Sequence, residues 1–404
     1  MRKRLRRAAA GAAAAGLVVL PLGTGTGYAA HAPARPAAPV TAPVRADDPF
    51  VQLTPAVAKQ LDDAVRRVLA DAKVPGVVVA VSAPGKGEYV RSFGVADKAS
   101  GAPMATDVNV RIGSQTKTFT VTALLELVDR GKVGLDDPIG KYVKGVPNGD
   151  RITLRELAGM RSGLFSYTED PDFYKALTTH PTRPFTPQEL LGYAFRHPVM
   201  FEPNAKFFYS NTNLILLGLV IEKVTGQKLG DVIHDNVVVP AGLKHTVFPT
   251  GAEFPTPHPQ GYTNQTASGK VENSTAWNPS WGWAAGAMIS DLPDLRRWAK
   301  VLATGELLKP ATQAERLKFE SADNSPDTGY GLGIFTDGGW IGHNGSLPGY
   351  EVVAMYLPQA KATMVVMLNT DIAAEGEEPS TLFGRAITQI VSPEHVYWLK
   401  PVQP

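Results

Sequence analysis

Ser114-Gln115-Thr116-Lys117 follows Val110-Arg111-Ile112-Gly113 and opens a segment in which Phe119, Val121, Leu124, Leu125 and Val128 recur at helical spacing as far as Gly131. The spacing predicts a helix that begins at this tetrapeptide and stops at the glycine. Positions i and i+3 share one helix face, so the Lys117 amine can stand beside the Ser114 hydroxyl. A serine hydroxyl is a poor nucleophile until a neighbouring base takes its proton. A lysine serves as that base only if burial or nearby positive charge lowers its pKa. Alone the tetrapeptide is a weak motif, because any surface helix can carry Ser and Lys at this spacing.

Two later segments change its weight. Tyr209-Ser210-Asn211 stands just before the apolar run Leu214 to Ile221, and His343-Asn344-Gly345 stands in the stretch Gly342 to Tyr350, before a strand-like run. The order Ser-x-x-Lys, Tyr-x-Asn, His-x-Gly resembles the penicillin-recognising serine hydrolases, whose boxes are Ser-x-x-Lys, Ser-Asp-Asn and Lys-Thr-Gly. Tyr209 and His343 in the second and third boxes look like the branch of class C β-lactamases and serine D-Ala-D-Ala carboxypeptidases. The His-x-Gly form resembles the Streptomyces-type DD-peptidases. Flanking segments share the likeness: Ile152 to Leu157, Arg161 to Leu164, Ala284 to Ser290 and Gly329 to Gly333. It covers nearly all of the chain from about residue 50 to about residue 390.

The resemblance implies an α+β fold: an antiparallel sheet flanked by helices, with an inserted, mainly helical domain and a cleft where the two meet. It implies Ser114 as the acyl-accepting nucleophile. Lys117 is then a proton acceptor, or a charge that keeps Tyr209 acidic. Which group is the base stays open, because a tyrosine of ordinary pKa near 10 needs two close cations to become a useful base. A neutral His343 would leave Lys117 as the only one. Asn211 is expected to hydrogen-bond Lys117 and a substrate amide, and the backbone N–H groups of Ser114 and Ser346 to form an oxyanion hole. His343, Asn344, Gly345 and Ser346 are expected along the substrate edge. Trp281 matches a cleft wall and equally a core aromatic.

One departure from the pattern bears on the substrate. The resembling carboxypeptidases hold a terminal carboxylate with an Arg after the Gly-x-Gly-Leu stretch and with hydroxyls flanking the His-x-Gly box. Here Phe335 follows Ile334, Asn344 stands where a Thr is usual, and Ser346 keeps one hydroxyl. Losing a bidentate Arg–carboxylate contact removes a strong recognition device.

The remaining sequence frames this site. Thr54-Pro55 predicts a capped helix start with Leu61, Val65, Val68 and Leu69 on one face. Val77 to Val81 reads as a strand, with Glu88 to Val95 as its hairpin partner. Glu351 to Leu357 and Ala362 to Asn369 form a second hairpin, and Thr381 to Val391 a helix. Strands at both ends with helices between them predict one sheet built from the two ends of the chain.

The chain has 404 residues, 44% of them hydrophobic, and no Cys, which excludes disulfides, thiolate metal sites and a cysteine nucleophile. Arg2, Lys3, Arg4, Arg6 and Arg7 precede an apolar run from Ala8 to Leu20 and small residues around Ala30. That pattern predicts an export signal over 1–32, a spacer over 33–48 and a catalytic domain over 49–395, in a secreted protein with no membrane span after cleavage. Losing five basic residues would take the formal charge from +2 to −3, which offers no face for nucleic acid. Gly-x-Ser-x-Gly and His-Glu-x-x-His are absent, and no cofactor or metal is expected. The leading expectation is a monomeric D-Ala-D-Ala carboxypeptidase-like enzyme acting on a small peptide, ester or β-lactam, with the peptidoglycan stem peptide as one candidate. An esterase, a D-amino-acid peptidase, a β-lactamase and a penicillin sensor without turnover are the alternatives.

Overall fold

Val77 and Leu368 lie almost 300 residues apart in sequence and are partners in one antiparallel ladder, whose register runs from Val77↔Leu368 to Ser82↔Thr363. The β-branched run that predicts the first strand forms β1 (Gly76–Ala83), and it pairs on its other side with β2 (Gly87–Gly94). The remaining strands of this sheet come from the C-terminal part of the chain: β3 (Glu320–Ser321), β4 (Thr328–Tyr330), β5 (Phe335–Asp337), β6 (Trp340–Leu347), β7 (Tyr350–Leu357) and β8 (Ala362–Leu368). Their spatial order is β2-β1-β8-β7-β6-β5-β4-β3. One sheet built from both ends of the chain is therefore what forms. The computed structural model describes residues 49–322 and 327–399; the expected export signal and spacer lie outside the described residues.

Helices cover both faces of this sheet. Every residue of β7 is buried, and alternate side chains of a strand point to opposite faces, so neither face of β7 meets water. Helix α1 (Pro55–Asp71) starts as its sequence predicts, with Thr54 Oγ1 accepting from the Val57 N–H and Pro55 at the first position. It packs against α6 (Pro379–Val391), which lies on β7 and β8, while α5 (Leu292–Thr304) packs on β6, β7 and β8.

Between the two sets of strands the chain is mainly helical. Helix α2 (Thr116–Asp129) packs against α4 (Asn211–Thr225), and so does the short α3 (Leu154–Ala158). The spacing of the apolar residues of α2 suggests one buried face, yet Lys117, Thr118, Thr120 and Thr122 are buried too. Their polar atoms are satisfied locally: Thr118 donates to the Gln115 carbonyl at 2.6 Å, Thr120 to the Ala284 carbonyl at 2.8 Å, and Thr122 to the Thr118 carbonyl at 2.6 Å. Short hydroxyls that can bond a nearby carbonyl enter a core without an orphaned donor, which periodicity alone does not reveal.

Candidate active site

Ser114 occupies a single 3₁₀ turn (Gly113–Gln115) that leads into α2, which holds its hydroxyl at the mouth of the helix. Gln115 is fully buried and anchors this turn to the sheet, its side-chain amide donating to the His343 carbonyl. Two glycines permit the approach. A Cβ on Gly345 of β6 would lie 2.0 Å from the Ile112 oxygen and 2.9 Å from the Ser114 nitrogen. A Cβ on Gly113, whose φ is +50°, would lie 2.8 Å from the Ser346 nitrogen. The backbone nitrogens of Ser114 and Ser346 are thereby drawn to the same small region, where two N–H donors can face one oxygen.

Lys117 lies one turn along the helix, and its Nζ is 2.7 Å from Ser114 Oγ. The amine also donates to the Ala285 carbonyl at 2.8 Å. No carboxylate pairs with it among the described residues, and burial holds its pKa well below the usual lysine value. A buried amine without a counter-ion gives up its proton more readily than an exposed one, which favours a lone pair beside the serine hydroxyl.

Tyr209 stands just before α4, with Lys117 Nζ 4.9 Å from its ring centre and its hydroxyl bonded to Ser114. Burial, opposed by that bond to Ser114, pushes its pKa up, so it remains a phenol. His343 supplies no compensating charge. Burial first, then the nearby Lys117, depress its pKa to about 3. Its Nδ1–H donates to the Asn344 carbonyl at 2.6 Å, and Nε2 accepts from the Tyr330 hydroxyl at 3.2 Å. Phe335, at the position of the expected arginine, packs edge-on to the imidazole with ring centres 5.2 Å apart. An apolar ring in place of a guanidinium removes both a cation and the water that would accompany it. Among the described residues the tyrosine has no pair of cations beside it.

The cleft in front of Ser114 is lined by Thr168 and Asn211 on the helical side and by Ser346, Leu347, Pro348 and Gln265 on the other. Tyr167, Phe173, Tyr174, Leu177 and Trp281 form an apolar wall, and Gly282, Ala285 and Gly286 complete the lining. Trp281 therefore faces the cleft, with its ring tilted against Phe173. No lining residue is acidic, basic or a histidine.

The structure corrects the expectations for Asn211, Asn344, His343 and Gly345. Asn211 does not complete the amine's coordination: its Nδ2 donates to Thr168 Oγ1 at 3.1 Å, and the amine takes the Ala285 carbonyl. Asn344 turns away from the cleft because Glu378, at the start of α6, accepts its Nδ2 at 2.9 Å. His343 and Gly345 are not in the lining either: the imidazole is buried against Tyr330 and Phe335, and Gly345 lies against the turn that carries Ser114. Thr168, Phe173 and Gln265 are not singled out by the sequence, and Ala285 lies in the flanking segment Ala284 to Ser290 without a role assigned to it. Only proximity in the fold gives them a place, and no motif spacing marks them.

The family then follows from comparison with known proteins. The β-lactamase family profile matches residues 61–385. The chain belongs to the β-lactamase family. It is a serine hydrolase of the β-lactamase and penicillin-binding-protein superfamily, as are its structural neighbours. It is similar to protein flp of Staphylococcus aureus (strain MW2), with 28% identity over 322 residues that span 77% of this chain and 63% of that protein. The chain thus spans less than two thirds of that relative's length. Among solved structures, a D-stereospecific amidohydrolase from Streptomyces sp. superposes with a TM-score of 0.72 and 31% identity, over 83% of this chain and 97% of that one. The D-amino acid amidase of Ochrobactrum anthropi SV3, complexed with D-phenylalanine, gives a TM-score of 0.70 and 29% identity, over 83% and 98%.

Proposed function

We propose that this β-lactamase-family hydrolase cleaves amides of D-amino acids, including small peptides, through an acyl-enzyme on Ser114. The observation that carries the proposal is the cleft itself: an aromatic wall beside Ser114 and no cationic side chain in the lining to hold a leaving-group carboxylate. An amide whose leaving group is neutral, and whose acyl side carries an apolar or aromatic side chain, matches those walls. The similarity to a D-stereospecific amidohydrolase and a D-amino acid amidase supports the choice of D configuration.

In this reading Ser114 Oγ attacks the amide carbonyl while its proton passes to the neutral Lys117 amine 2.7 Å away. The backbone N–H groups of Ser114 and Ser346 hold the oxyanion, each worth roughly 3–4 kcal/mol by comparison with other enzymes. As the C–N bond breaks, the leaving nitrogen takes a proton from the Tyr209 phenol, and Lys117 returns its proton to the tyrosine. Water then attacks the ester, giving its proton to Lys117, and the acid leaves as Ser114 regains its hydrogen. No negative charge has to rest on Tyr209 for long, in keeping with its raised pKa.

The second reading is a D-Ala-D-Ala carboxypeptidase, favoured by the His343-Asn344-Gly345 box and the Ser346 hydroxyl. A direct comparison separates the two: ammonia release from D-phenylalaninamide and D-alanine release from a peptide ending in D-Ala-D-Ala, each with Ser114→Ala as control. The amidase reading predicts Ser114-dependent ammonia release that exceeds D-alanine release and prefers the D enantiomer. Equal or greater D-alanine release would reverse the order of the two readings. For the location of the protein, we propose export, on the basic, apolar and small-residue pattern of the N-terminal segment.

A further inference from the structure

Gln265 lines the cleft opposite the aromatic wall, and its carboxamide is not free to rotate. Its Nε2 donates to Asp371 Oδ2 at 2.5 Å. The same carboxylate accepts from Thr263 Oγ1 at 3.0 Å and from the backbone N–H of Gly349 at 2.8 Å. All three partners are donors, so the nitrogen of the Gln265 amide must face Asp371 and the carbonyl oxygen must point elsewhere. That oxygen accepts no hydrogen bond among the described residues. Asp371 is nearly buried and accepts with both oxygens, the behaviour of an ionised carboxylate. An amide donating to an anion is polarised, which makes its oxygen a stronger acceptor.

Gly349 follows Ser346, Leu347 and Pro348, all of which line the cleft. One buried carboxylate thus fixes both Gln265 and the turn that carries this edge of the cleft. No lysine, arginine or histidine lies in the lining to compete for the Gln265 oxygen.

We propose that Gln265, oriented by Asp371, is a specificity-determining residue whose carbonyl oxygen receives the α-ammonium group of the acyl-side residue. Substrates with a free amino terminus are then preferred over N-acylated ones. This rests on the assignment of an acyl-transferring hydrolase for D-residues but not on amide as the scissile bond, so esters serve as probes.

The test measures kcat/KM for D-phenylalanine methyl ester and its N-acetyl derivative at a pH of about 6.5, where an ordinary α-amino group is charged. The wild-type protein is expected to favour the free amine. In Gln265→Met that preference falls roughly ten- to a hundredfold, the range for a lost hydrogen bond to a charged group. Asp371→Asn lowers it as well, because an amide in place of the carboxylate frees the Gln265 carboxamide. Gln265→Glu alone sets two carboxylates together and loses the aim of the oxygen. Gln265→Glu combined with Asp371→Asn restores one donor and one acceptor between the two side chains, leaves an acceptor oxygen for the cleft and regains the preference, which a merely structural role would not require. Gln265 is exposed, so its variants are expected to fold. A preference unchanged in Gln265→Met, or a wild-type preference for the N-acetyl ester, overturns the proposal. Ester turnover with the predicted ratios but no amide cleavage would sink only the amide reading.

Discussion

Lys117 is the residue on which the proposed chemistry turns. The amine is wholly buried, has no counter-ion among the described residues, and lies beside Ser114. Its folded pKa lies below the unfolded value of about 10.4, so between the two the unfolded chain binds the extra proton. Stability therefore rises with pH across that window, and at neutral pH the lysine costs stability. Lys117→Met is expected to abolish acylation while leaving the thermal midpoint equal to or above that of the wild type; a large fall in the midpoint would show that the amine is structurally required. Ser114→Ala should likewise end covalent labelling by a fluorophosphonate or a β-lactam without unfolding the protein, as gel labelling and a melting curve together would reveal. The nearness of Ser114 and Lys117 was legible from their spacing. The protonation of their neighbours was not, because it depends on burial by residues far away in sequence, Phe335 among them.

At the scale of elements, β6 and the turn before α2 set the geometry. Gly345 and Gly113 leave room where any side chain would collide with backbone. Gly345→Ala is expected to cost about 1–3 kcal/mol in stability, as overpacking does, and at least a hundredfold in kcat/KM. Urea titration and ester kinetics would measure the two effects; an unaltered kcat/KM would argue against a hole formed by Ser114 and Ser346. His343, on the same strand, has a folded pKa of about 3 against an ordinary 6.5. Between those values only the unfolded state takes up the proton, so the stability this group contributes is present above pH 6.5 and is lost as pH falls toward 3. His343→Gln should flatten the stability profile in that window, read by thermal melts across pH. The β1–β2 and β7–β8 hairpins and the α1 cap follow from short strand-like runs rich in β-branched and apolar residues and from Thr-Pro chemistry. The buried threonines of α2 escape such reading because hydrophobic period does not register that Thr118 and Thr122 can bond carbonyls one turn back, and because the Ala284 carbonyl that takes Thr120 is placed by the fold alone.

For the molecule as a whole, the pairing of Val77 with Leu368 closes a sheet across the ends of the catalytic unit and brings three distant boxes to one cleft. The order of those boxes was enough to place the chain in its family, since each carries its own chemistry. The substrate was less legible: the absent arginine is visible at Phe335 and Trp281 matches a cleft wall, but Tyr167 and Phe173, which complete the aromatic wall, lie in segments with no motif. Trp281→Ala is expected to raise KM for D-phenylalaninamide about tenfold, with a smaller effect on D-alaninamide, because the larger ring loses more buried contact. Equal effects on the two amides would remove the wall from the account of specificity. The most direct test of the central claim is intact-mass and peptide mapping of the purified protein quenched during turnover of a D-phenylalanine ester or amide. The account predicts one acyl adduct, on the peptide carrying Ser114, absent from Ser114→Ala and accumulating when deacylation is slowed. An adduct on another residue, or turnover that persists in Ser114→Ala, would contradict it.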